Sequence, residues 1–256
     1  MPANYIIDMD GVIYLGNALI PGAKEFIAQL VSGDHHFLFL TNSSNLTPVE
    51  LQRKLSTMGI EVSVNHFFTS AMATADFLHS QHPNVRVYII GGAGLREALD
   101  AIGYTITDDH PDYVVIGTTR TYDYERMEKA VELVRAGARL IGTNPDVTGP
   151  SDHGIIPACG ALVAPIQLVT GAHPYFIGKP NPLMMRTALR RLRAHSADTF
   201  MVGDRMDTDV VAGTEAGMRT ILVLSGVTSR IEINTYAFRP HYVFDSVGDI
   251  PVAELT

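Results

Sequence analysis

Short apolar runs alternate with amphipathic stretches along most of this 256-residue chain. The runs at 5–7, 37–40, 175–177 and 200–202 are continuous rather than alternating, the pattern of strands buried on both faces of a parallel sheet. Further strand candidates lie at 85–90, 113–116, 139–141 and 220–224. Apolar positions three and four apart, as in Ala23, Phe26, Ile27 and Leu30 or in Met127, Val131 and Val134, predict amphipathic helices between them. Thr47-Pro48-Val49-Glu50 is a capping box with proline at the first helical position, and Gly59 follows the helix it opens. Gly103, Gly137, Gly171 and Gly217 punctuate in the same way. The alternation predicts an α/β fold with a Rossmann-like parallel sheet, and there is no repeat at solenoid periods.

Each of the first four runs ends in a polar cluster: Asp8-Met9-Asp10-Gly11, Thr41-Asn42-Ser43, Gly178-Lys179-Pro180, and Gly203-Asp204 with Asp209. In an open parallel sheet the carboxyl ends of the strands share one edge, where ligands bind, so the four clusters are expected in one crevice. Two clusters precede residue 45 and two follow residue 175. The stretch between them carries its own βα alternation, with polar residues and prolines near 78–83 and 171–174. This predicts a discontinuous core domain, 1–78 and 178–256, and an inserted α/β cap domain, 79–177.

Composition narrows the function classes. A net charge of −8 argues against a nucleic-acid partner. Arg186, Arg190, Arg191 and Arg193, interleaved with leucines, read as the solvated face of one helix. Hydrophobic content of 46% and charged content of 18% are those of an ordinary globular protein. One cysteine, Cys159, excludes an internal disulfide and a multi-cysteine metal site. No run approaches membrane-spanning length, and the N-terminus enters a strand without a basic, apolar leader. The expectation is a cytoplasmic protein without a membrane partner, a monomer or weak homo-oligomer acting on a small phosphorylated metabolite.

The clusters combine carboxylates, an ammonium, a hydroxyl and an amide, which points to phosphoryl transfer. Mg2+ takes one or two protein carboxylates and borrows oxygens from substrate phosphate, a role that suits Asp8 and Asp204, with Asp209 orienting metal-bound water. An aspartate can also attack phosphorus, and that nucleophile is assigned to Asp8. Asp10 would be general acid to the leaving alcohol and then base for water. Thr41, Asn42 and Lys179 would hold the phosphoryl oxygens. Singly, each cluster is an ordinary turn or cap sequence. Their joint occurrence after buried-strand patterns is not.

In these motifs the chain resembles the phosphatases of the haloacid dehalogenase superfamily. Asp8-Met9-Asp10-Gly11-Val12, Thr41-Asn42, Lys179-Pro180 and the segment 203–209 match the family's four motifs. Segments 69–76, 143–146 and 157–161 resemble its NagD branch of ribonucleotide monophosphatases with a large C2-type cap. The resemblance implies Mg2+, an aspartyl-phosphate intermediate and hydrolysis of small phosphomonoesters, nucleoside 5′-monophosphates such as UMP among them. Phosphoglycolate, pyridoxal phosphate and sugar phosphates are the alternatives. By position it implies metal ligation by the Asp8 and Asp204 carboxylates and the Asp10 carbonyl, with Asp209 nearby. It puts phosphate or substrate contacts on Asp10, Thr41, Asn42 and Lys179, and the loop Arg205, Met206, Asp207 and Thr208 at the border of the site. Arg205 and Asp207 depart from the amide and basic residue expected in the nearest NagD proteins.

Five other readings remain. Asn144 and Asp146 sit in a polar turn after a strand, where a substrate contact and a plain turn compete. Gly91-Gly92-Ala93-Gly94 lacks the spacing of a dinucleotide fingerprint and reads as a tight strand-to-helix turn. Cys159 at a predicted helix start could serve as a nucleophile of lowered pKa, but with an aspartate already in that role packing is the favoured reading. A phospho-accepting regulatory module would use similar groups, but such modules are shorter and lack a cap; a phosphotransferase on the same scaffold stays open.

Overall fold

The structure, a computed structural model, describes residues 3–151 and 154–255. The chain opens with β1 (Asn4–Ile7), the hairpin β2 (Tyr14–Leu15) and β3 (Ala18–Leu19), α1 (Ala23–Ser32), β4 (His36–Thr41), α2 (Pro48–Thr57), β5 (Phe67–Thr69) and α3 (Ser70–Gln81). Next come β6 (Arg86–Ile90), α4 (Ala93–Ala101), β7 (Thr105–Ile106), β8 (Tyr113–Ile116), α5 (Tyr124–Arg135) and β9 (Arg139–Gly142). The hairpin β10 (Thr148–Ser151) and β11 (Gly154–Pro157), α6 (Cys159–Thr170) and β12 (Tyr175–Phe176) follow. The chain closes with α7 (Pro182–Leu192), β13 (Thr199–Gly203), α8 (Val211–Glu215), β14 (Arg219–Val223) and β15 (Tyr242–Phe244).

Two compact units result: Met1–Thr41, Leu51–Phe68 and Lys179–Thr256 form the first, Asn42–Glu50 and Thr69–Gly178 the second. Helix α3, expected with the core domain, packs on α4 within the second unit. Among the described residues no helix is long and apolar enough to cross a membrane.

The first unit is a six-stranded sheet in the order β15-β14-β13-β1-β4-β5. Strands β4, β1, β13, β14 and β15 pair in parallel. Tyr5, Ile6 and Ile7 of β1 and every residue of β13 are buried, as a strand covered on both faces requires. Tyr5 stacks on Phe200 across the pairing at 5.3 Å between centroids. Phe39 of β4 is fully buried between Phe37 and Phe67. Phe39→Ala is expected to lower unfolding free energy in denaturant titration by about 3–5 kcal/mol, the cost of lost transfer energy plus a cavity. Helix α7 buries Met184, Met185 and Ala188 and exposes Arg186, Arg190 and Arg191, the charged face read from sequence.

The second unit carries a five-stranded, all-parallel sheet, β12-β9-β8-β6-β7. Ile90, Val114, Ile116 and Leu140 pack there against Leu133, Cys159, Val163 and Ile166. The run at 175–177 belongs to this sheet: Tyr175 pairs with Ile141 and Phe176 with Gly142 of β9. Lys179 therefore does not leave a strand of the first sheet, contrary to the expectation that all four polar clusters do. A three-residue apolar run states that a strand forms, not which sheet's edge it joins. The Gly91–Gly94 turn links β6 to α4, with the Gly94 N–H donating to the Asn45 carbonyl at 2.9 Å.

Candidate active site

Ile7 at the end of β1 pairs with Val202 of β13 on one side and Phe39 of β4 on the other. Asp8, Thr41 and Asp204 consequently leave the first sheet at one edge, and the Asp8 N–H donates to the Val202 carbonyl at 2.8 Å. Lys179 enters from the segment before α7, whose first turn is capped by Asn181 accepting from the Leu183 N–H at 2.9 Å. The Lys179 Nζ lies 2.7 Å from Asp8 Oδ1 and 2.7 Å from Asp209 Oδ1, and donates to the Leu40 carbonyl at 3.3 Å. Only 2% of Lys179 is exposed, so an ammonium with two carboxylate partners is sealed in the interior.

Asp209 reaches this point through a wide helical turn at Met206–Val210, where the Asp209 and Val210 N–H groups both donate to the Arg205 carbonyl at 3.1 Å. The Arg205 N–H in turn donates to Asp209 Oδ2 at 3.1 Å. Gly203 is required beside it: a Cβ there would stand 2.2 Å from the Asp209 Cβ. Asp204 Oδ2 accepts from the Val227 N–H at 2.7 Å. Gly11, at φ +82°, passes so close that a Cβ would come within 2.5 Å of that same oxygen.

Asp8, Asp204 and Asp209 are all buried, and each offers a carboxylate oxygen within 4.8 Å of the others. One ammonium does not balance three such charges. Burial raises the Asp8 carboxyl, opposed by Lys179 and reinforced by the charge of Asp10. Burial, then the charges of Asp8 and Asp209, hold Asp204 well above the carboxylate range. Burial lifts Asp209 to about 6 against the pull of Lys179. For Lys179, burial disfavours the charge, but Asp209 and Asp8 outweigh it and its pKa rises. Among the described residues Asp204 Oδ1 is buried without a hydrogen-bond partner. A set of hard oxygen donors with one lone acceptor among them fits a divalent cation.

Asp10 stands outside that trio, two residues beyond Asp8, its Oδ2 3.5 Å from the Tyr14 hydroxyl. Burial is the main cause that raises its pKa, with the charge of Lys54 opposing. Thr41 is buried at the end of β4. In the loop at 205–208, Arg205 grips Asp207 through Nε at 3.0 Å and Nη2 at 2.8 Å. Met206 is fully buried against Val210, Leu222 and Ile233, so its side chain serves packing, and Thr208 is buried as well. Tyr14 and Lys54 escaped the sequence reading because neither belongs to a motif; only the spacing of Tyr14 from Asp10 hints at it.

The second unit holds the other three candidates. Asn42 Nδ2 donates to Asp146 Oδ2 at 2.9 Å, Asn144 Nδ2 donates to the Asn42 carbonyl at 2.7 Å, and the Asp146 N–H donates to Asn144 Oδ1 at 3.1 Å. These bonds tie the start of that unit to the turn after β9. Cys159 is fully buried and its thiol donates to the Ile116 carbonyl at 3.1 Å; burial raises its pKa, the opposite of what a thiolate nucleophile needs.

Comparison with known proteins identifies the family. Residues 5–105 match the haloacid dehalogenase-like hydrolase family, and residues 176–250 match a second model of HAD-hydrolase-like proteins. The chain is 49% identical over 247 residues to the dihydroxyacetone phosphatase of Corynebacterium glutamicum, covering 96% of this chain and 90% of that protein. It is 44% identical to the ribonucleotide monophosphatase NagD of Escherichia coli, covering 97% and 98%. The solved NagD structure from E. coli superposes with a TM-score of 0.92 at 43% identity, over 98% of this chain and 99% of that one. A 4-nitrophenylphosphatase from Thermotoga maritima gives 0.94 at 35%, over 100% and 98%. With the acid cluster and these relatives in hand, the chain belongs to the haloacid dehalogenase-like hydrolases, in their NagD-type branch, and is a phosphomonoesterase.

Proposed function

We propose that the protein hydrolyses small phosphomonoesters with Mg2+ through an aspartyl phosphate on Asp8, nucleoside 5′-monophosphates such as UMP being the substrate class. The carrying observation is the trio Asp8, Asp204 and Asp209 around the Lys179 ammonium, with one Asp204 oxygen buried and, among the described residues, without a hydrogen-bond partner. The carboxylates of Asp8 and Asp204 and the main-chain carbonyl of Asp10 would hold the ion, with Asp209 supporting them. Bound there, Mg2+ supplies charge stabilisation to the phosphoryl oxygens.

The chain's own groups do the rest. Lys179 fixes the Asp8 carboxylate in place and, with Thr41 and the adjoining Asn42, is a donor to the phosphoryl oxygens. Asp8 forms the bond to phosphorus as the ester oxygen leaves. The Asp10 carboxyl gives its proton to that oxygen and later takes one from the water that hydrolyses the aspartyl phosphate. The second unit, with its separate sheet, is read as the α/β cap. The setting we infer is cytoplasmic, since a fold with one cysteine draws no stability from an oxidising compartment.

A second reading, a short sugar or triose phosphate as substrate, is favoured by the 49% identity to a dihydroxyacetone phosphatase against 44% to NagD. Phosphate release should be measured with UMP, dihydroxyacetone phosphate, hexose phosphates, phosphoglycolate and pyridoxal phosphate, each with Mg2+ and with chelator. UMP is expected to give the highest kcat/KM; a triose phosphate ahead of it selects the second reading. Chelation is expected to cut release by about 10²–10³-fold, the loss typical of one electrostatic stabiliser, and Mg2+ to restore it. Equal release with chelator removes the metal from the mechanism.

A further inference from the structure

The carboxyl group of Asp10 is buttressed by two residues that lie in no motif. After β1 the chain turns back sharply: the Met9 carbonyl accepts from the Ile13 N–H at 2.9 Å, and the Gly11 N–H donates to the Tyr14 carbonyl at 2.8 Å. The turn brings Tyr14 alongside Asp10 in an isolated bridge, its hydroxyl directed at Asp10 Oδ2. Tyr14 is 2% exposed, which restricts its ring to one placement. Lys54, from the last turn of α2, sets its Nζ 3.5 Å from the centroid of that ring. A cation over the face of a phenol holds the ring and makes its O–H a better donor.

We propose that Tyr14 and Lys54 are positioning residues that aim the Asp10 carboxyl at the leaving oxygen of the ester. The inference rests on the role given to Asp10 under the proposed function. In the first step Asp8 Oδ forms its bond to phosphorus, the bond from phosphorus to the ester oxygen breaks, and the Asp10 proton passes to that oxygen. The alcohol departs neutral and Asp10 is left as carboxylate. An alkyl ester needs that proton, because an alkoxide is a strongly basic leaving group. A 4-nitrophenyl ester needs it far less, because nitrophenolate is stable as an anion.

The test compares kcat/KM, which reports events up to departure of the alcohol, for glycerol phosphate and 4-nitrophenyl phosphate in the same preparations. Tyr14→Phe keeps the ring and removes the hydroxyl; Lys54→Met keeps bulk and removes the charge. Each is expected to lower the alkyl-to-aryl ratio by about tenfold, a fraction of the 10²–10⁴ that a general acid supplies, and Lys54→Arg to restore it. The ratio is blind to the fraction of enzyme folded, since both esters see the same molecules. Equal losses on both esters, or an unchanged ratio, overturn the inference. Asp10→Asn separates the two levels. If it depresses the ratio while the Tyr14 and Lys54 variants do not, positioning alone fails; if it leaves the ratio unchanged, the acid role of Asp10 fails and the inference with it.

Discussion

Asp8→Asn is expected to lower phosphate release by roughly 10⁴–10⁶-fold, the scale on which removal of a nucleophile is felt. The amide is isosteric, and its oxygen can still accept from Lys179, but it cannot form the phosphoryl bond. The fold should survive, because the substitution removes one of three crowded negative charges. Stability in denaturant is expected to stay within about 1 kcal/mol of the wild type, the net value of one hydrogen bond. Mass spectrometry of quenched reactions should detect a phosphoryl adduct on the wild type and none on the variant. Near-normal turnover by Asp8→Asn would eliminate the covalent route.

The second large effect concerns stability. Lys179→Met takes away the cation that the Asp8 and Asp209 carboxylates share inside the protein. Leaving buried charges uncompensated is expected to cost about 3–5 kcal/mol in metal-free buffer. The deficit should depend on pH in a defined direction. Burial raises the carboxyls of Asp8, Asp204 and Asp209 in the folded state, so that state binds protons more tightly than the unfolded chain, and its stability falls as pH rises through the raised range. With Asp209 at about 6 even beside Lys179, the loss should be largest at neutral pH and shrink on acidification toward the ordinary carboxylate range. A Lys179→Met protein as stable as the wild type at neutral pH would mean that the ammonium contributes nothing to holding the cluster.

The parts of the fold legible in the sequence were those set by local pattern. The continuous apolar runs located β1, β4 and β13, because strands covered on both faces have no polar side to alternate with. Thr47 and Glu50 make the reciprocal capping bonds, 3.2 Å and 2.8 Å, that their spacing announced. Asp8, Thr41 and Asp204 were legible because sheet geometry carries strand ends to one edge whatever their separation in sequence, whereas Lys179 reaches them from a segment that follows a strand of the other sheet. What escaped was set by longer-range choices. The partner of β12 depends on which of two sheet edges lies open to it. The inward aim of Asp209 depends on a helical turn widened by one residue, which no periodicity encodes. Asn144 was read as a turn or a substrate contact, while its amide braces the Asn42 carbonyl across 102 positions of chain.

The order of strands in the first sheet also has a consequence during synthesis. Strand β1 is central, yet its neighbour β13 begins at Thr199, opposite Asn4. At a translation rate of roughly 5–20 residues per second, β1 waits about 10–40 s for that neighbour to be made. Residues 69–178 are by then complete and free to fold as a nearly continuous piece. Until then β1 has β4 on one side and Phe26 of α1 against Tyr5, while its other edge, the one that β13 takes, stays unpaired, an edge that chaperones are suited to shield.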